Sequence, residues 1–108
     1  MPIEKWSDKI VVVHLADEPQ FSEDLQGLDG LVRKNVSLVL NFSAVRYVNS
    51  SNISQLLKLR KQLMSTEARL LLCGMSNHVW GVFLLTGLDK IFEFSDNVPT
   101  ALATFQME

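Results

Sequence analysis

The chain has 108 residues, 47% of them apolar and 20% charged, and a formal charge of −2. This suits one compact domain over residues 1–108, is too short for two independently cored ones, and excludes a disordered chain. The acidic balance gives no electrostatic reason to expect nucleic acid or an anionic membrane as partner, no run nears the roughly 20 apolar residues that span a bilayer, and the opening MPIEKW lacks the apolar stretch expected of a signal peptide. With Cys73 as its one cysteine and so no internal disulfide, a cytoplasmic setting is expected.

Along the chain, short apolar runs alternate with stretches of helical period, the pattern of an α/β domain. Ile10 to Leu15 is β-branched and reads as a strand, with Ile3 to Trp6 as an edge strand beside it. From Ser22 to about Arg33, Leu25, Leu28, Leu31 and Val32 fall at helical spacing, weakened by Gly27 and Gly30. Ser37 to Phe42 is apolar on both faces, as in a strand covered on both sides. The clearest helix runs from Ser50 to about Ser65, with Ile53, Leu56, Leu57, Leu59, Leu63 and Met64 on one arc. Arg60 falls inside that arc, its stem expected along the core edge and its guanidinium in water.

Ala68 to Gly74 is a further buried strand, and Ser76-Asn77 caps a short helix through about Thr86 that Gly87 ends in the left-handed conformation. Val79 to Leu85 is apolar nearly all round. Either an exposed Trp80 or Phe83 forms a contact patch, or both pack beneath the terminal helix. A last strand near Ile91 to Phe94 leads through Ser95-Asp96-Asn97 and Pro99 into a terminal helix through Phe105. Right-handed crossovers are expected between the parallel strands.

No constellation for catalysis emerges. His14, His78 and Cys73 lack metal-ligand spacing, Ser43 lacks a nucleophile-elbow context beside either histidine, and no glycine-rich phosphate loop is present. Neither an enzyme nor a metal or other cofactor is expected. Asn49 can cap the helix that begins at Ser50, which puts Ser51 in its first turn beside N–H groups without intrahelical partners. A phosphate there gains about 0.3–1 kcal/mol from the helix dipole.

The segment LNFSAVRYVNSSNI, Leu40 to Ile53, resembles the signature of STAS domains, typically Asp-x-Ser-x-Val and then Asp-Ser-Ser-Gly-Leu. Leu70 to Ser76 and Leu85-Thr86-Gly87-Leu88 resemble the family's later strand and its leucine-threonine-glycine-leucine turn. The resemblance spans about residues 8–105 and is poorest at Ala16 to Pro19, where the family usually has Gly-x-Leu-Asp. It implies a single STAS-like domain with a mixed, mostly parallel sheet of four to five strands and about four helices.

The resemblance further implies a regulatory binding protein of the anti-sigma factor antagonist type. In such proteins the second serine of Asp-Ser-Ser-Gly is phosphorylated by a partner that is both anti-sigma factor and serine kinase, and a serine phosphatase resets it. By position that serine is Ser51, and the implied partner-binding set is Asn41, Ser43, Tyr47, Asn49, Ser50, Ser51 and Asn52. Asn41 and Asn49 replace the usual aspartates, removing charge, and Asn52 replaces the usual glycine, adding a side chain in the path of an approaching kinase. Two alternatives stay open: a non-phosphorylated assembly subunit, homodimerisation included, and a small-ligand sensor.

Overall fold

In the computed structural model, which describes residues 2–107, strands β1 (Ile3–Ser7), β2 (Ile10–Ala16), β3 (Ser37–Ala44), β4 (Leu70–Cys73) and β5 (Glu93–Ser95) form one sheet in sequential order. β1 is antiparallel to β2 and every other pairing is parallel. Helices α1 (Gln20–Gly27), α2 (Ser50–Met64) and α3 (Asn77–Leu85) are the parallel crossovers, and α4 (Val98–Gln106) follows the last strand. Residues 1 and 108, the ends of the expected domain, lie outside the described residues.

Strand side chains alternate between faces, so each parallel strand feeds two cores. Leu38, Leu40 and Phe42 of β3 join Leu70 and Leu72 beneath Phe21 and Leu25 of α1, Leu56, Leu59 and Leu63 of α2, and Val79 and Phe83 of α3. Val12, Val39, Leu71 and Cys73 point the other way, against Ala101 and Phe105 of α4. Three crossover helices thus share one face, and α4 returns across the opposite one. The doubly apolar reading of β3 and β4 has this cause.

Element boundaries differ from the sequence expectation where local bonds intervene. α1 starts at Gln20, ahead of Ser22, because the Glu18 carboxylate accepts from the Ser22 backbone at 2.5 Å and also from its hydroxyl. The expected helix to Arg33 gives way at Leu28 to a 3-10 turn ending at Leu31. β4 starts at Leu70, not Ala68, because the Ala68 N–H closes back onto Leu63 O at 3.1 Å. β5 starts at Glu93, not Ile91, because Ile91 and Phe92 both donate to Leu88 O. Gly87 takes φ +75° just after α3, as the sequence predicts.

One packing expectation needs correction. Phe83 is fully buried but does not lie beneath the terminal helix; it packs edge-to-face on Phe92 and Phe94, with centroids 5.8 and 5.5 Å away, on the face opposite α4. Trp80, one residue on from Val79 and turned outwards, is exposed and rests on Phe94. Arg60 is half-buried, and its Nε donates to Ile91 O at 3.1 Å, which ties α2 to the turn before β5.

Phe83 sits between Phe92 and Phe94 in an aromatic cluster and is fully buried. Phe83→Ala is expected to destabilise the fold by about 3–5 kcal/mol. In urea unfolding this reads as a lower midpoint with an unchanged slope.

Candidate functional site

The site grows from the C-terminal end of β3. Val45 is buried, and its N–H bonds Phe42 O at 2.8 Å, so the chain turns off the sheet with an anchored elbow. The next two side chains, Arg46 and Tyr47, are exposed, while Val48 packs against the core. Asp17, at the end of β2, grips the elbow from the side. Its carboxylate accepts from the Arg46 backbone N–H and from the guanidinium Nε, each at 2.7 Å. The backbone N–H, reinforced by the guanidinium, holds the Asp17 carboxyl below the usual carboxylate range.

α2 then begins with two reciprocal hydrogen bonds. Asn49 Oδ1 accepts from the Asn52 N–H at 2.9 Å, and Asn52 Oδ1 accepts from the Asn49 N–H at 2.9 Å. This is a capping box in which asparagine fills the place usually taken by glutamate or glutamine. Asn52 is fully buried, and its Nδ2 donates to Ser22 Oγ at 3.2 Å, joining the start of α2 to α1. Ser22 in turn holds the Glu18 carboxyl below its usual range through its hydroxyl and then its N–H.

Ser50 and Ser51 occupy the first two positions of this capped turn, both exposed. Their N–H groups precede the first intrahelical bond, from Ile53 N–H to Asn49 O at 3.1 Å. The arrangement is a rigid, solvent-facing hydroxyl on a helix start that favours negative charge.

The expected partner-binding residues divide into three groups. Tyr47, Asn49, Ser50 and Ser51 stand exposed around one turn. The Asn52 side chain, expected in the path of a kinase, is instead turned into the protein, because its amide satisfies Asn49 and Ser22. Asn41 faces the α4 side of the sheet and belongs to a different set of bonds. A carboxylate can only accept and an amide nitrogen only donate, so His14 Nε2 donates to Glu4 Oε1 at 2.6 Å while its Nδ1 accepts from Asn41 Nδ2 at 3.0 Å. Asn41 Oδ1 is left to accept from the Ser43 N–H at 3.1 Å. An aspartate at 41 would turn an acceptor towards Nδ1, which gives the asparagine a local reason. Gly74 lies against the same amide, where a Cβ would sit 2.6 Å from Asn41 Oδ1.

The sequence reading missed His78 as a member of the site. Its ring stacks edge-to-face on Tyr47 at 5.0 Å, and with Arg46 and Ser76 they line a shallow depression of about 300 Å³. No local signal marks this contact, which joins residues far apart in sequence. Glu18 just before α1 did carry one: a carboxylate ahead of a helix is a ready acceptor for its first N–H groups. Elsewhere, burial pushes the Cys73 thiol up to about 11, which leaves it a protonated core residue. Among the described residues no three His, Cys, Asp or Glu side chains cluster as metal ligands, and no helix is long and apolar enough to cross a membrane.

Comparison with known proteins gives a consistent pattern. The STAS domain family model matches residues 7–101. BtrV of Bordetella bronchiseptica, assigned to the anti-sigma factor antagonists, is 28% identical over 95 residues, covering 88% of this chain and 80% of its own. A crystal structure assigned to the same class, from Thermotoga maritima, superposes with a TM-score of 0.81 at 18% identity, covering 95% of this chain and 92% of the other. The anti-sigma factor antagonist SpoIIAA in its unphosphorylated form gives 0.80 at 18% identity over 99% and 96% of the two chains. The phosphorylated form of SpoIIAA, from Bacillus, gives 0.65 at 20% identity over 99% and 98%. At these identities the likeness to the solved structures establishes the fold.

The capping box bears directly on stability, because truncating Asn52 takes the acceptor from the part-buried Asn49 N–H bond and removes the bond to Ser22. Asn52→Ala should cost about 1–3 kcal/mol, and Asn52→Gly, the family's usual residue, at least as much. Thermal melts of the two variants beside the parent protein check both.

Proposed function

The chain belongs to the STAS domain family, and from that premise we propose that it is an anti-sigma factor antagonist acting in the cytoplasm, binding an anti-sigma factor that is also a serine kinase. The partner docks on the Tyr47 to Ile53 turn, phosphorylates Ser51 and is thereby released; a serine phosphatase restores the binding form.

One observation carries this reading. The serine that matches the family's phosphorylated position is exposed at the second residue of a helix whose cap is independently fixed by Asn49 and Asn52. A phosphate on Ser51 adds roughly −1.5 to −2 charge units at neutral pH. The free N–H groups of the first turn and the helix dipole favour that charge, so the helix need not melt to accept it. A partner seated on the turn must instead desolvate or repel it. The switch thus acts through surface charge, with the scaffold unchanged.

Two features favoured a constitutive assembly subunit: the asparagines around the serine and the surplus apolar surface of α3. Hydrogen bonding within the chain accounts for the asparagines, and packing accounts for Val79 and Phe83 of α3, while Trp80, Leu84 and Leu85 stay exposed. Asn49 and Asn52 cap α2, Asn41 pairs with His14, and Phe83 belongs to the core. The local roles of the asparagines support the switch.

Incubation with the cognate kinase and ATP, read by intact mass, should add a single phosphoryl group that Ser51→Ala abolishes. Ser51→Glu should weaken binding of the kinase by about tenfold or more. An unmodified protein, or modification that survives Ser51→Ala, would overturn the assignment.

A further inference from the structure

Beside the Ser51 turn, at the C-terminal end of β4 and β5, lies a second depression of about 290 Å³, walled by Met75, Asn77, Trp80, Phe94, Ser95 and Asp96. We propose that it is a slot for a basic side chain of the docked partner, with the Asp96 carboxylate as counter-ion and Trp80 as aromatic wall. The inference deepens the reading of the protein as a kinase-binding antagonist and rests on it.

Size decides what kind of occupant fits. Pockets for free ligands and cofactors run from about 300 to 1,000 Å³, so this one is at the lower limit and suits a single long side chain. Charge decides its sign. Asp96 is the one ionisable residue in the wall, it is exposed, and among the described residues it enters no ion pair. It is nevertheless well positioned, because its backbone carbonyl accepts from the Gly74 N–H at 3.1 Å and holds the residue against the end of β4.

The aromatic wall adds selectivity. Trp80 stands edge-on to Phe94, with centroids 4.9 Å apart and planes at 81°, so its indole is braced in place while remaining exposed. A guanidinium or ammonium over an indole face is attracted by the ring's quadrupole, and more strongly once a partner excludes water. A carboxylate beside that face supplies the hydrogen-bond acceptor that the cation also needs. The slot is also continuous with the proposed docking turn. Asn77 lines it, and the next residue, His78, stacks on Tyr47, two positions ahead of the Asn49 cap. A partner covering Ser51 and Tyr47 therefore reaches Asp96 along the start of α3.

The test needs no identified partner. N-acetyl-arginine-N-methylamide is titrated into the 15N-labelled full chain, and the Trp80 indole N–H and the Asp96 amide are followed by NMR. The expected result is saturable shifts at both, absent with the uncharged N-acetyl-norleucine-N-methylamide and weakened about tenfold by Asp96→Asn. Trp80→Leu, which keeps an apolar wall without the π face, should weaken the response as well. Equal response to norleucine, insensitivity to Asp96→Asn, or shifts mapping elsewhere would overturn the slot. Tighter binding of tetramethylammonium than of the arginine probe would overturn the protein partner in favour of a small free cation. Because the Ser51 assay reads a different residue, a modified Ser51 with an unresponsive slot refutes this inference alone, and a responsive slot with an unmodified Ser51 refutes the switch alone.

Discussion

The exchange of hydrogen bonds between Asn49 and Asn52 is the constraint on which the functional end of this molecule depends. Each amide oxygen takes the other residue's N–H at 2.9 Å, so the chain enters α2 in one geometry. The buried amide of Asn52 also reaches Ser22, which fastens that entry to α1. Further along α2, Leu56, Leu59 and Leu63 are sunk into the core beneath the sheet. The cap and these three leucines together leave the first turn no freedom to rotate, and Ser51 is presented outward as a consequence. The Asp17 grip on Arg46 does the same for the preceding elbow, so the site is braced at both ends.

Such bracing suits a device that signals by charge. A phosphate at the start of a helix is favoured by the dipole and by free N–H groups, so it stabilises what is already there. Its effect falls on whatever is docked nearby. The site also widens in space beyond its own segment: Tyr47 leans on His78, and α3 carries the surface on to Trp80 and Asp96. A partner that covers the turn thus meets an exposed hydroxyl, an aromatic pair and a carboxylate in succession. On the opposite face α4 covers Val39, Leu71 and Cys73.

The fold is legible because its strands are apolar on both faces and its helices on one, and because turn residues such as Gly87 and caps such as Asn97 stand where the chain must change direction. The placement of α4 is not legible. Sequence order says that it follows β5 but does not say to which face it returns, and so neither reading open for Phe83, a contact patch or a place beneath the terminal helix, finds its true neighbours Phe92 and Phe94. At the site, Ser51 and its cap can be read from Asn-Ser-Ser ahead of an amphipathic run. Asn52 reads as an obstacle because a local pattern does not reveal that a polar side chain points inward, and its partner Ser22 lies on a different helix. His78 escapes for the same reason, as a contact made only when β3 and β4 lie side by side.

The measurement that bears most directly on a charge switch without refolding is amide hydrogen exchange at Asn52 and Ile53, the two N–H groups bonded to Asn49, in the Ser51-phosphorylated and unmodified proteins. Equal or greater protection after phosphorylation is expected, because the cap survives and the added charge favours the helix start. Loss of protection at these two amides would mean that phosphate melts the first turn, and would contradict a switch built on a rigid scaffold.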